Sequence, residues 1–169
     1  MIKRSILVIL SFIFISRFTF SVAASDEAVC RAKEAGNAIA LTFDDGPHPK
    51  YTAEILEILK KYGVNATFFV IGKNAEEYPE LVAREAGEGH EIGNHSYSHT
   101  YFSRSGDNEI SREIEKCEKI VEGISGLETS LLRPPGGLYG GSLKTIAKGM
   151  SYRIVLWGNR TSHRTNSQQ

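Results

Sequence analysis

The sequence predicts an α/β fold built on a parallel sheet. Three observations carry this. Short runs rich in β-branched and aromatic residues alternate with amphipathic helical patterns. The runs are too continuously apolar to leave one sheet face in water. The pattern reads β-α-β-α-β-α-β-α-β, without internal repeats, which calls for helices covering a parallel sheet, either open or closed into a barrel.

The elements follow in order. Ala38–Phe43 reads as the first strand, and Thr52–Tyr62 as a helix with Ile55, Leu56, Ile58 and Leu59 inward and Gly63 ending it. Ala66–Ile71 is an apolar strand. Ala75–Glu88 is helical, with Pro79 suited to a first helical turn. Glu91–His95 is a short strand. Asn108–Glu122 is a helix whose stripe is Ile110, Ile114, Cys117 and Val121. Ser130–Arg133, Ser142–Lys148 and Tyr152–Trp157 complete the series as strand, helix and strand.

Both ends of the chain differ from this middle. Lys3 and Arg4 precede the apolar run Ile6–Ile15, and Val22-Ala23-Ala24 offers small residues for cleavage. Residues 1–24 therefore read as a signal peptide directing export to the cell envelope or beyond. The run is shorter than the roughly 20 apolar residues of a spanning helix, so membrane contact is expected only if this peptide stays uncleaved. Residues 25–157 form one domain. Residues 158–169, "GNRTSHRTNSQQ", hold no apolar residue and read as a polar disordered tail. Without the three bases of residues 1–24, 17 bases face 20 acids, a formal charge of −3 that gives no reason to expect nucleic acid as partner. Cys30 and Cys117 do not have metal-site spacing. Cys117 falls on a helix stripe and reads as a buried small residue.

Three strand ends carry chemistry. The first ends in the adjacent carboxylates Asp44 and Asp45, which repel each other and resist burial. The third runs into "HSYSH", with His95 and His99. The fourth ends at Arg133 in "RPPGG". In parallel α/β architectures such ends share one face. If Asn94 or Ser96 caps a helical turn, the two imidazoles point the same way, roughly 6 Å apart at Cβ. One carboxylate of Asp44/Asp45 would complete a two-histidine, one-carboxylate metal set with open positions. Zinc is the commonest occupant, other transition metals being compatible. A dication removes the penalty for the paired carboxylates. Arg133, in a rigid stretch before Pro134-Pro135, would orient a carboxylate bidentately. Gly136 and Gly137 leave a backbone N–H accessible to an oxyanion. His48, between prolines, reads as structural to its turn, His90 as opening a strand, and His163 has no assigned role.

"TFDDGPHP", "HSYSH" and "RPPGG", in this order and spacing, resemble the three leading motifs of the polysaccharide deacetylase family (carbohydrate esterase family 4, with its NodB-homology domain). The resemblance runs from about Ile39 to Trp157. It implies a distorted, partly open (β/α) barrel and hydrolysis of N- or O-acetyl groups on a sugar polymer such as peptidoglycan or a chitin-like chain. It implies Asp44 as catalytic base, Asp45, His95 and His99 as ligands of a divalent metal, Arg133 orienting Asp44, and the Gly136 N–H holding the oxyanion.

The sequence departs from the family after Trp157. An Asp-x-x-Asp-Trp-like segment and the Leu-x-His that supplies the catalytic acid are missing. About five strands are expected, an incomplete barrel covering the first two-thirds of the domain, with one edge of the last strand open. Weak or absent activity is the corresponding expectation. The rival readings are a non-catalytic metal- and carbohydrate-binding remnant, or an unstable truncated or frameshifted fragment.

Overall fold

The structure, a computed structural model, describes residues 28–31, 36 and 38–158. The expectations for residues 1–24 and 159–169 lie outside the described residues. Among the described residues, no helix is long and apolar enough to cross a membrane.

Five parallel strands form one sheet in the order β1-β2-β3-β4-β5. They are β1 Thr42–Gly46, β2 Thr67–Val70, β3 Glu91–Asn94, β4 Leu131–Leu132 and β5 Arg153–Ile154. Between them run α1 Tyr51–Tyr62, then α2 Gly72–Glu77 with α3 Pro79–Gly87, then α4 Asp107–Ser125, then α5 Gly141–Gly149. Spatial order equals chain order. That is the winding of a barrel rather than of a doubly wound sheet, whose order reverses at a switch point. The sheet is not closed: β1 and β5 are its two ends.

Three elements differ from expectation. The first strand is displaced toward its acidic end. Ala38–Leu41 lies outside it, with Ile39 85% exposed, because β2 offers partners only from Thr67 to Val70. The expected helix over 75–88 is two helices. Tyr78 leaves helical geometry (φ −129°, ψ 59°) immediately before Pro79, whose ring disfavours a helical predecessor. The outer edge of β5 is partly covered: the Val29 N–H donates to the Ile154 carbonyl (2.9 Å) and the Leu156 N–H to the Val29 carbonyl (2.8 Å).

The α4 stripe is buried throughout and joins two cores. Cys117 and Val121 pack with Leu56, Leu59, Phe68, Val70, Val82 and Ile92. Ile110 and Ile114 pack with Phe102, Leu132, Leu143, Tyr152 and Ile154. Each such side chain contributes about 1.5–3 kcal/mol by leaving water. Burial pushes the Cys117 thiol up to about 12, so it behaves as a small apolar group.

The other sheet face positions the site. Side chains alternate along a strand, so Phe68 and Ile92 join the helix-side core while Phe69 and Gly93, paired in register, face the opposite way. Phe69 lies against Gly93, where a Cβ would come within 2.5 Å of its ring. That ring is the floor on which the Arg133 guanidinium rests, 4.0 Å from the centroid.

Candidate metal and hydrolytic site

Four strand ends meet on one side of the sheet. At the end of β1 the backbone bulges: the register with β2 shifts between Asp44 and Gly46, and Asp45 takes φ +68°. The left-handed region is uncommon for a non-glycine residue and is one way a site re-aims a side chain. Here Asp44 and Asp45 diverge instead of colliding. The bulge is tied by Asn74, whose Nδ2 donates to the Asp45 carbonyl (2.9 Å), and by the Ile71 N–H donating to the Gly46 carbonyl (2.9 Å).

Asp45 faces both histidines. Its Oδ1 lies 3.4 Å from His95 Nε2 and 3.2 Å from His99 Nε2. One donor atom from each of the three side chains falls within 4.8 Å of the others. His95 is buried, and its Nδ1 is 2.6 Å from the Arg133 carbonyl. A carbonyl can only accept, so Nδ1 carries the proton and Nε2 presents its lone pair toward Asp45 and His99. Asp45 is exposed and His99 half-buried, which leaves one side open to solvent. Two imidazole nitrogens, one carboxylate and an open side fit a divalent transition metal.

The histidines do not converge as expected. Residues 95–99 form no helical turn. The Asn94 side chain accepts from the Ser96 N–H (2.9 Å) and turns the chain directly after β3, and Ser96 and His99 take φ +65° and +62°. The ring centroids end 5.1 Å apart.

Asp44 is held on both oxygens. Arg133 Nη1 donates to Oδ1 (2.6 Å) and Trp157 Nε1 to Oδ2 (2.8 Å). The Arg133 fork is not bidentate on this carboxylate. Nη1 also donates to Thr42 Oγ1 (2.8 Å) and Nε to the Val155 carbonyl (3.3 Å). Splitting the donors lets one buried guanidinium tie β4 to both ends of the sheet, over a Phe69 ring that itself fills the space above Gly93.

Gly136 sits in a tight turn at φ +74° with its backbone exposed. The Tyr101 ring lies against it, where a Cβ would come within 2.6 Å, and meets His99 edge-on at 5.7 Å between centroids. The Trp157 ring occupies the corresponding place against Gly137. All six expected residues therefore gather on one side of the sheet. His48 and His90 lie outside the group. His48 Nδ1 accepts from the N–H groups of Lys50 and Tyr51, and His90 Nδ1 from that of Ala66. Sequence reasoning missed Trp157 and Tyr101 as parts of the site. A tryptophan closing the last apolar run, at the same sheet face as the acidic pair, was the available signal for the first.

The chain belongs to the polysaccharide deacetylase family, whose model matches residues 31–155. It is 45% identical over 119 residues to the peptidoglycan-N-acetylmuramic acid deacetylase PdaC of Bacillus subtilis (strain 168), covering 70% of this chain and 25% of that protein. Over the same length it is 43% identical to a peptidoglycan-N-acetylglucosamine deacetylase of Bacillus cereus (strain ATCC 14579), covering 70% and 43%. The solved structure of Bacillus subtilis PdaC superposes with a TM-score of 0.67 at 44% identity, over 71% of this chain and 58% of that one. The chain thus spans less than half the length of either of those two full proteins.

Proposed function

We propose that this chain is a metal-dependent deacetylase of cell-envelope polysaccharide, exported through residues 1–24 and acting on acetylated amino sugars such as those of peptidoglycan. The observation that carries this is the arrangement at the end of β1. Asp45 joins His95 and His99, while both oxygens of the adjacent Asp44 are held by Arg133 and Trp157. The peptidoglycan deacetylases among the relatives support the substrate class.

Asp45, His95 and His99 would hold the metal, zinc being the expected ion, and a bound ion supplies Lewis-acid activation of water and of the acetyl carbonyl. Asp44 takes the proton of the attacking water at its carboxylate. Its two donors, Arg133 Nη1 and Trp157 Nε1, hold its carboxylate in one orientation. The N–H of Gly136, a residue in an exposed turn, donates to the oxyanion that forms at the former carbonyl oxygen.

The leaving amine must then be protonated. Among the described residues, the remaining histidines, His48 and His90, are engaged elsewhere, so no imidazole stands ready as acid. General acid catalysis contributes on the order of 10²–10⁴-fold, so slow turnover is the expectation for these residues alone.

The test is acetate release from N-acetylglucosamine oligomers and from peptidoglycan by the zinc-loaded chain. Asp45→Asn should lose metal and acetate release together. Asp44→Asn should keep metal and lose acetate release. Equal loss of zinc from both variants would overturn the assignment of roles.

A further inference from the structure

We infer that Glu113, on α4, is a positioning residue that sets the distance between the two histidines of the metal site. The inference rests on the reading of Asp45, His95 and His99 as metal ligands, and concerns how that set is kept assembled.

The two histidines are fixed in different ways. His95 follows β3 directly. Its N–H donates to the Val70 carbonyl (2.9 Å) and its ring to the Arg133 carbonyl (2.6 Å). His99 lies four residues on, beyond a left-handed Ser96 and itself left-handed. Such backbone states are uncommon for non-glycine residues and persist only where surroundings over-determine them. The place of His99 relative to His95 therefore depends on what holds the path of residues 96–98.

Two of the ties are backbone to backbone. Gly72 N–H donates to the Ser96 carbonyl (3.0 Å) and Lys73 N–H to the Tyr97 carbonyl (2.8 Å). At Ser98, next to the ligand, the tie is a single side chain. Glu113 Oε2 accepts from the Ser98 N–H (2.8 Å) and Oε1 from the Ser98 hydroxyl (2.9 Å). The Ser98 hydroxyl has one proton and gives it to Glu113. The Thr100 hydroxyl, 2.8 Å from Ser98 Oγ, must then be the donor in that pair. One carboxylate thus orders the polar groups on both sides of His99.

The platform under Glu113 is rigid. Its neighbour Ile114 is fully buried, and the Ile114 carbonyl accepts from Asn94 Nδ2 (2.9 Å). Consecutive residues of one helix therefore hold Asn94, which precedes His95, and Ser98, which precedes His99. The loop is framed at both ends from a single turn of α4. Outer partners that orient metal ligands typically account for 10–100-fold in metal affinity.

The test is a titration of the full apo chain with zinc and with cobalt(II), reading affinity and the cobalt ligand-field bands. Glu113→Ala should weaken binding about 10–100-fold. At saturation its cobalt bands should match those of the native chain, because the same three ligands bind. Its apo melting temperature should stay close to native. Glu113→Gln, with one carbonyl oxygen for two donors, and Ser98→Ala, which keeps only the N–H bond, should each fall in between and serve if Glu113→Ala folds poorly. Glu113→Ala and Ser98→Ala should combine non-additively. Native affinity in all of these variants, with binding lost in His99→Ala, would overturn the role of Glu113 and leave the metal site standing. Native affinity in His99→Ala as well would overturn the metal reading itself.

Discussion

Glu85 provides a test of the fold that is independent of the site. It lies on α3, fully buried, and neither carboxylate oxygen has a hydrogen-bond partner. Burial alone pushes its carboxyl from 4.5 up to about 8. The native state therefore holds a proton that the unfolded chain releases above about pH 4.5. Stability from this group is fully present below pH 4.5 and is lost as pH rises toward about 8, because the native state binds more protons across that window. A shift of this size corresponds to a loss on the order of 4–5 kcal/mol, at about 1.4 kcal/mol per pH unit. Urea denaturation of the full chain between pH 5 and 8.5 should show stability falling with pH. Glu85→Gln should remove most of that slope. Glu85→Leu, which buries no polar group, should be more stable than native at pH 8. An equal slope in native and Glu85→Gln proteins would refute the assignment.

Three further outcomes concern the site. Trp157→Phe keeps a ring against Gly137 but removes the donor to Asp44. Hydrogen bonds to charged groups are worth about 1.5–3 kcal/mol, so kcat for acetate release should fall roughly 10–100-fold, with KM and zinc affinity near native. Gly93→Ala places a Cβ within 2.5 Å of the Phe69 ring beneath Arg133. Overpacking of this kind costs about 1–3 kcal/mol of stability, and displacing Arg133 should lower acetate release on the order of 10²-fold. Unchanged melting temperature would argue against the packing described. Gly136→Ala meets both a left-handed φ and the Tyr101 ring, so it should reduce kcat, and the second change Tyr101→Ala should recover only the part due to the clash.

The sequence made the chemical residues legible because a parallel sheet converts chain order into spatial order. Asp44, Asp45, His95, His99 and Arg133 lie at or just beyond the ends of three strands, and the parallel sheet puts them on one side. The stripe Ile110, Ile114, Cys117 and Val121 was equally clear, being periodic and buried along its length. What depends on tertiary contact was not. The "HSYSH" spacing suggests a helical turn, but the Asn94 side chain competes for the Ser96 N–H and sends the chain into a loop. The seat of Arg133 is the Phe69 ring, which lies where Gly93 has no side chain, and no local pattern encodes that. The displacement of β1 follows from where β2 offers partners, which Ala38–Leu41 alone does not reveal.

Asp45, His95 and His99 are expected to bind one metal ion together. Equilibrium dialysis of the full chain against zinc measures this directly. About one zinc per chain is expected, as in single-ion sites of this donor set, with none retained by His95→Ala or Asp45→Ala and native stoichiometry in Asp44→Asn. Undiminished zinc uptake by His95→Ala and Asp45→Ala would contradict it.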